Sequence, residues 1–144
     1  MSFENDLLLY KKQFEHGSFV YSDPSKSFSE CVTKHFQTVK TQDKHGVYVV
    51  RKKHTGEVLY VGKGGTITFE GKYKAQDIPG RLKAMRENDV RADIWFSALA
   101  KEKGEFIVEY VFLPVSKSPA LVEVLLLQAY LNEFGCLPYK NKTL

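Results

Sequence analysis

A change of hydrophobic period at Gly46 constrains the fold of this chain more than any other feature. Before Gly46, apolar side chains recur at helical spacing, whereas Val47–Val50 and Val58–Val61 are two short runs of β-branched and aromatic residues. A polar stretch, residues 51–56, lies between the two runs. Two such runs joined by a short polar connection predict a β-hairpin.

Further helices and one more strand are predicted after the hairpin. The predicted elements are a helix that begins near Pro79, carries Leu82 and Met85 and extends at most to Val90, a helix over 92–101, a strand over 105–112 and a helix over 119–134. The last helix has the clearest ends, because Ser118 is an N-cap residue, Pro119 suits the first helical turn and Gly135 suits the end. This order of elements is typical of a small mixed α/β domain.

Residues 1–43 are predicted to form an N-terminal helical extension. Two stretches, 3–15 and 28–39, carry apolar residues near helical spacing, and a turn around Asp23-Pro24 separates them. Residues 44–144 then form the main domain. The expected fold class is α/β (α+β), with a small three-stranded, mostly antiparallel sheet flanked by helices.

The composition excludes several classes of protein. A chain of 144 residues with 43% hydrophobic residues fits one globular domain, and disorder is excluded as its overall state. No uncharged run approaches the ~18 residues of a membrane span, and acidic residues stand where a signal peptide has cations. Cys31 and Cys136 match neither a zinc-ligand spacing nor a disulfide framework. We therefore expect a cytoplasmic, intracellular protein with reduced thiols.

The positive charge is concentrated in one part of the sequence. The net charge is +4, residues 1–43 hold five lysines against six acids, and residues 51–91 hold ten basic residues against five acidic ones. A basic segment of this kind is either a solvated face or a surface that binds a polyanion. The count alone leaves both alternatives open.

Tyr48 and Tyr60 are expected on the same face of the hairpin. A register that pairs Val50 with Val58 also pairs these two tyrosines, and directly opposed Cβ atoms lie ~4.5–5.5 Å apart. The opposite face would hold Val47, Val49, Leu59 and Val61. The two rings either form an aromatic pair that covers the sheet or bring both phenols to one ligand. Glycine near the strand ends favours the close approach of a backbone or a ligand.

Three further features after the hairpin suggest an anion. The segment Gly62-Lys63-Gly64-Gly65-Thr66 is either a plain flexible turn or a turn whose N–H groups face an anion, with Lys63 beside it. It lacks the spacing of a Walker loop. Arg81 is expected in the first turn of a helix, where a cation is unfavourable unless an anion lies near. Arg86 would be a phosphate clamp or a surface charge.

Glu123 is expected to point along the apolar stripe of the last helix. At ~100° per residue, Leu127 lies about 40° and Tyr130 about 20° from Glu123, whereas Asn132 lies about 180° away. Burying an unpaired carboxylate costs several kcal/mol, so a carboxylate there needs a partner. The alternatives are a buried salt bridge to an arginine or lysine, or a role as metal ligand or active-site group.

These residues together resemble the signature of a GIY-YIG nuclease domain. Gly46-Val47-Tyr48 corresponds to the first half of the signature and Tyr60-Val61-Gly62 to the second, with eleven residues between the two tyrosines. Arg81, Glu123 and Asn141 then follow in the order of the family's site residues.

The resemblance spans about residues 44–144 and implies a metal-dependent endonuclease that hydrolyses phosphodiester bonds, with DNA rather than RNA as the expected substrate. It implies that Glu123 holds one divalent ion, Mg²⁺ or Mn²⁺. Tyr48 would activate or orient the attacking water, and Tyr60 would position water and phosphate.

The remaining roles are also implied by the resemblance. Arg81 would stabilise the charge that develops on the phosphoryl oxygens, and Asn141 would support the site from the C-terminal segment. Phosphate or nucleic acid is expected to contact Lys63, Gly64 and Arg86. This chemistry needs a cation at the developing charge and an oriented water, which the residues named above can supply.

The chain departs from the family pattern at Met85. Many members carry a histidine or tyrosine at this position, one helical turn after the arginine, and methionine cannot relay a proton. Tyr73, Lys63 or His45 would have to replace it. The alternative function is a non-catalytic nucleic-acid-binding module, and a small-molecule enzyme would need a closed pocket instead. Residues 1–43 are expected to cover the sheet or to mediate a homodimer.

Overall fold

The computed structural model describes residues 2–144, which form one antiparallel sheet with helices on both faces. The elements are α1 (Phe3–Gln13), β1 (His16–Tyr21), α2 (Phe28–Gln37), β2 (Gly46–Lys52), β3 (Val58–Gly64), β4 (Thr66–Ile67), β5 (Tyr73–Lys74), α3 (Ile78–Lys83), a 3₁₀ turn (Glu87–Asp89), α4 (Ala92–Lys103), β6 (Phe106–Phe112) and α5 (Pro119–Phe134). Four strands make the sheet in the order β1-β6-β2-β3, and β4 and β5 pair separately. The predicted mixed α/β class and the β2–β3 hairpin are therefore confirmed.

The sheet has four strands in place of the predicted three, because β1 lies within the segment expected to be only helical. β1 pairs with β6 in antiparallel fashion, with Tyr21 opposite Phe106. Only Phe19 and Tyr21 of this strand are buried, so the run is too short and too exposed to give a clear strand pattern. Residues 1–43 consequently supply an edge strand of the sheet as well as α1 and α2. The homodimer proposed through this segment stays a prediction.

Each face of the sheet is covered by its own group of helices. One core lies between the sheet and α2, α3 and α4, and its largest members are aromatic, among them Phe28, Phe96 and Tyr48. The second core lies between the sheet and α1 and α5 and is mainly aliphatic, with Val47, Val61 and Leu126. The alternation of β2 and β3 thus places aromatic residues on one side and mostly valines on the other.

An ion-pair network fixes α1 to the second face. Arg51 of β2 donates from Nε to Glu109 of β6 at 2.6 Å and from Nη1 to Glu4 of α1 at 2.7 Å. Lys11 of α1 donates to the other oxygen of Glu109. Burial raises the pKa of Glu109, but Lys11 and Arg51 outweigh burial and hold this pKa below its usual value.

The predicted ends of the last helix are confirmed, whereas the first helix after the hairpin is shorter than predicted. The Ser118 side chain accepts a hydrogen bond from Leu121, and Gly135 ends α5 with φ of 75°. In α3, the Asp77 side chain caps the start, and the backbone is already extended at Ala84. Met85 therefore lies outside the helix.

The hairpin register differs by two residues from the predicted one. Tyr48 pairs with Gly62, Val50 pairs with Tyr60, and the register shifts at Arg51. A Cβ at Gly62 would lie 2.4 Å from the Tyr48 ring, so only glycine leaves room for that ring. The shift preserves parity, and Tyr48 and Tyr60 still share a face. Leu59 does not lie on the opposite face as predicted but packs in the core with the two tyrosines.

Candidate functional site at the outer edge of the sheet

The outer edge of β3 is the place where helices from both faces of the sheet meet. Tyr60 lies on this strand, Arg81 comes from α3 on one side, and Glu123 comes from α5 on the other. Two adjoining cavities, of about 340 and 300 Å³, both have these three side chains in their walls. Three of the five residues predicted as catalytic, drawn from three separate elements, therefore line both cavities, and a fourth, Asn141, lines the larger one.

Tyr60 presents its half-buried phenol to both cavities. Its ring centroid lies 6.1 Å from that of Tyr48 and 5.5 Å from that of Trp95. Burial is the main reason why the pKa of Tyr60 rises to about 12, with Tyr48 and Glu123 adding to the rise and Arg86 and Arg81 opposing it. Tyr60 is thus a neutral hydrogen-bond donor at ordinary pH.

Glu123 is half-buried and does not form the buried salt bridge that was one of its two predicted alternatives. Among residues 2–144, no lysine or arginine nitrogen lies within 4 Å of its carboxylate. Burial raises the pKa of Glu123, while Lys63 and Arg81 lower it from a longer distance. Glu123 therefore has no ion-pair partner within 4 Å among residues 2–144.

The donor set suits a hard ion that retains most of its water. Among the described residues, no group of three His, Cys, Asp or Glu side chains could hold a metal. Mg²⁺ binds through one or two carboxylates and keeps several waters, so a single carboxylate beside an open cavity fits such an ion. The fit rests on Glu123 alone.

Four cations in the walls of the two cavities form no ion pair within 4 Å among the described residues. Lys63 lies in the wall of the smaller cavity, Arg86 and Lys140 lie in the wall of the larger one, and Arg81 lies in both. Within the described part of the chain, none of these four has a carboxylate oxygen within 4 Å. The cleft is therefore positively charged, and the basic excess of the sequence is partly explained by it.

Tyr48 and Arg86 lie deeper than predicted. Tyr48 is 1% exposed and Arg86 is 6% exposed. Arg86 Nη1 donates to the Tyr48 hydroxyl at 3.3 Å, and the guanidinium carbon lies 4.7 Å from the Phe96 ring centroid and 5.2 Å from that of Trp95. Tyr48 lines neither cavity. Arg86 is a buried charge among aromatic rings in the wall of the larger cavity, so the surface charge that was one of its two alternatives is wrong, and the phosphate clamp stays a prediction.

Asn141 holds the free edge of β3 next to Tyr60, and its role in supporting the site stays a prediction. Its side-chain amide donates to the carbonyl oxygen of Val61 and accepts from the Val61 N–H, both at 2.9 Å. The backbone N–H of Lys140 donates to the Leu59 carbonyl oxygen at 2.8 Å. The C-terminal segment thus pairs with the free edge of β3 on either side of Tyr60, which satisfies backbone groups that an edge strand leaves open.

The predicted glycine turn is wrong over its first three residues, since Gly62, Lys63 and Gly64 continue β3. A Cβ at Gly64 would lie 2.5 Å from the backbone of Asp77 and Ile78, so this glycine lets the start of α3 pack on the strand. Gly64 is buried by that contact.

Tyr73, Lys63 and His45 were the candidates for the proton-relay role that Met85 cannot fill. Of these three, only Lys63 lies in the wall of a cavity that Glu123 also lines. The Met85 side chain is 53% exposed and lies outside both cavities. The Tyr73 hydroxyl donates to the Leu113 carbonyl oxygen, and the Tyr73 ring stacks on His45 at 4.1 Å. Tyr73 and His45 therefore support the small β4–β5 hairpin.

Trp95 and Lys140 belong to the cleft but were not predicted as site residues. Trp95 is half-buried in the wall of the larger cavity beside Tyr60. Lys140 holds its ammonium nitrogen 5.7 Å from the centre of the Trp95 ring. The only sequence signal for Lys140 is its position next to Asn141.

The comparisons with known proteins add no relative: no family model, no curated protein and no solved structure matches this chain. Within residues 2–144, none of the helices has both the length and the apolar character needed to cross a membrane.

Proposed function

We propose that this chain is a metal-dependent endonuclease of the GIY-YIG type that hydrolyses phosphodiester bonds in DNA. The observation that carries the proposal is the convergence of Tyr60, Arg81 and Glu123 on the shared wall of two cavities at the β3 edge. These are residues that the motif resemblance selects from three distant parts of the sequence. Their meeting at one open, positively charged cleft supports the proposal independently of the motif.

The cleft suits a polymer better than a small molecule. The rim of the larger cavity includes the exposed residues Lys142, Thr143 and Leu144, so the cavity opens to solvent. Four cations without a nearby carboxylate partner favour a ligand with several negative charges, as a nucleic-acid backbone has. This argues against a small-molecule enzyme, which would enclose its substrate.

In the proposed reaction, water attacks the phosphorus and the bond to the leaving oxygen breaks. Arg81 stabilises the negative charge that grows on the phosphoryl oxygens, an effect worth roughly 10²–10³ in kcat for one well-placed donor. The neutral Tyr60 hydroxyl orients the water or the phosphate. Lys63 is the candidate for proton transfer, because it lies in the wall of the same cavity as Glu123.

Tyr48 and Asn141 act through other residues in this scheme. Tyr48 accepts the hydrogen bond from Arg86 and packs beside Tyr60, so it sets the position of both. Asn141 fixes the edge of β3 at Val61, next to Tyr60. A divalent ion bound at Glu123 would supply positive charge to the phosphate and lower the pKa of its bound water.

The test is cleavage of supercoiled plasmid with Mg²⁺ or Mn²⁺, using wild type, Glu123→Gln, Arg81→Ala and the control Lys12→Gln. Lys12 is an exposed lysine on α1, away from the cleft. We expect nicked or linear product from wild type and the control, and at least a hundredfold loss in both site variants. If wild type cuts nothing, or if Glu123→Gln cuts as well as wild type, the proposal is wrong.

A non-catalytic nucleic-acid-binding module is the second candidate, and one observation favours it. The position at which many GIY-YIG members carry a histidine or tyrosine is an exposed methionine, Met85, outside the cleft. This candidate predicts salt-sensitive binding to DNA without cleavage in any divalent metal. Binding by Glu123→Gln at wild-type affinity would be expected under both candidates, so cleavage is the measurement that separates them.

A further inference from the structure

The larger cavity extends past the three shared residues into a region with no role in the scheme above. Its far wall is formed by Trp95 of α4, by Arg86 and by the C-terminal residues Lys140 and Lys142. Its volume of about 340 Å³ lies in the range of sites for small ligand groups. This region has the charge and the rigidity of an anion site.

Arg86 brings a buried and largely unpaired charge to this wall. Its Nη1 reaches only the Tyr48 hydroxyl, and its Nε and Nη2 have no hydrogen-bond acceptor among residues 2–144. The Phe96 and Trp95 rings compensate a part of the desolvation cost through cation–π attraction. A buried cation without a counter-ion costs several kcal/mol, so an anion in the cavity would stabilise it.

Lys140 is a second cation at this wall, and its position is fixed. Its backbone N–H is bonded to Leu59, and the next residue, Asn141, is bonded twice to Val61. Its Nζ lies 5.7 Å from the Trp95 ring centroid and has no carboxylate within 4 Å in the described chain. By contrast, Lys142 beside it pairs with Glu87 at 3.3 Å. Lys140 is therefore the cation left free to meet a ligand.

The charge of this wall favours a phosphate group over a base. Arg86 and Lys140 lie 5.2 and 5.7 Å from the centre of the Trp95 ring, so a phosphate group beside this ring meets two positive charges. The cavity is continuous with the Arg81 and Glu123 side chains, where the scissile phosphate is proposed to bind. A strand that passes this point carries its next phosphate toward Lys140.

We propose that this part of the cavity is a second phosphate subsite, in which Lys140 contacts a phosphate beside the scissile one and Arg86 provides the buried charge behind it. The identity of the ligand as nucleic acid rests on the proposed function. The subsite fixes the register of the strand against Glu123, which a single contact at the scissile phosphate cannot do.

The first experiment measures binding of a 20-base-pair fluorescent duplex by anisotropy in EDTA over a range of salt concentrations. The proteins are wild type, Lys140→Gln and the matched control Lys12→Gln. Loss of one phosphate contact makes the slope of log K against log salt shallower by about 0.9. We expect this change and a several-fold weaker affinity for Lys140→Gln only. The Lys140 side chain is only half-buried, and its backbone contact survives the substitution, so the variant should fold.

The second experiment locates the phosphate with duplexes that carry one neutral methylphosphonate linkage at a time. At one linkage, and at no other, the affinity difference between wild type and Lys140→Gln should vanish, because the two changes remove the same contact. A parallel pair of duplexes with a 5′-phosphate or a 5′-hydroxyl separates the two sources of phosphate. If Lys140→Gln weakens binding of both duplexes, the contact is to a backbone phosphate. If it weakens binding only of the duplex with the 5′-phosphate, the contact is to a terminal phosphate.

The outcomes separate this inference from the proposed function. If wild type cuts plasmid and binds duplex while Lys140→Gln binds with the same slope and affinity, the subsite is wrong and the nuclease proposal stands. The subsite is also wrong if the Lys140→Gln penalty is equal for every methylphosphonate position. If wild type neither binds nor cuts DNA, the proposed function fails and the subsite fails with it.

Discussion

Replacing Arg86 by Met and Tyr48 by Phe in one protein should stabilise the fold, although both residues lie in the core. Arg86 is 6% exposed, and two of its nitrogens have no acceptor among residues 2–144. A buried unsatisfied polar group costs about 1–3 kcal/mol, so these two nitrogens cost about 2–6 kcal/mol. The cation–π contacts of Arg86 offset about 2 kcal/mol of this cost, and its 3.3 Å hydrogen bond to Tyr48 offsets about 1 kcal/mol.

The double variant removes the charge and also the hydroxyl that would otherwise lose its partner. The cost and the compensating contacts differ by about −1 to +3 kcal/mol, so the expected change is a gain of about 1 kcal/mol, in line with other replacements of buried charges by apolar side chains. Each single variant should be less stable than the double variant, because it leaves one partner of the Arg86–Tyr48 hydrogen bond buried without the other. In a chain of this size, a gain of about 1 kcal/mol corresponds to a rise in Tm of about 2–5 °C.

The assay is urea unfolding followed by the fluorescence of the single tryptophan, Trp95. All four proteins should unfold with the same m-value, so that differences in midpoint report stability. A double variant less stable than wild type by more than about 1 kcal/mol would refute the reasoning, since Arg86 would then contribute net stability to the free protein. The double variant is also expected to bind DNA more weakly than wild type, whether its fold is more or less stable.

Three further predictions concern the scaffold. Gly62→Ala should lower the unfolding free energy by about 1–3 kcal/mol, because its Cβ would overlap the Tyr48 ring. In the control Gly56→Ala, the new Cβ meets no atom within 4 Å, so the only destabilisation comes from the positive φ at this position. The urea midpoints of the two variants measure the difference. The depressed pKa of Glu109 contributes stability that is present above its unfolded value of about 4.3 and is lost as pH falls through the folded value. Glu109→Gln should therefore flatten the acid limb of the stability curve, and an unchanged limb would contradict this. Asn141→Ala removes two 2.9 Å bonds, which should cost about 1–3 kcal/mol and reduce plasmid cleavage.

The helices and strands with strong local signals were predictable from the sequence. Ser118 and Gly135 define α5 because capping chemistry is local and does not depend on the rest of the fold. The hairpin was predictable as an element, but its register was not, because the register depends on the bulge at Arg51 and on the contact of the Tyr48 ring with Gly62. Such a contact joins residues whose packing cannot be seen in either strand alone.

The edge strand β1 escaped prediction because edge strands are short and half-exposed. Only Phe19 and Tyr21 face the core, and neighbouring Val20 is exposed. The pairing partner, β6, lies about ninety residues further along the chain. Long-range pairing of this kind is decided by the assembled sheet and leaves little trace in a local pattern.

The candidate site was predictable to the extent that motif and helix geometry could select its residues. The direction of Glu123 along the apolar stripe follows from helical angles, and its half-buried position agrees with them. The depth of Tyr48 and Arg86 was not predictable, since it depends on how the sheet, α2, α3 and α4 pack together and not on the residues next to either side chain in sequence. A charge count treats Arg86 like any other arginine.

The position of β3 at the edge of the sheet explains how one strand can bring both faces to one site. A central strand is flanked by neighbours, so helices on opposite faces are kept apart by the sheet. At an edge, α3 and α5 reach around the same strand, and Arg81 and Glu123 share cavity walls with Tyr60. The cost is an open strand edge, which the C-terminal segment covers with the hydrogen bonds of Lys140 and Asn141. The same segment that protects the edge thereby carries the free lysine of the proposed subsite, so scaffold and binding surface depend on one set of contacts.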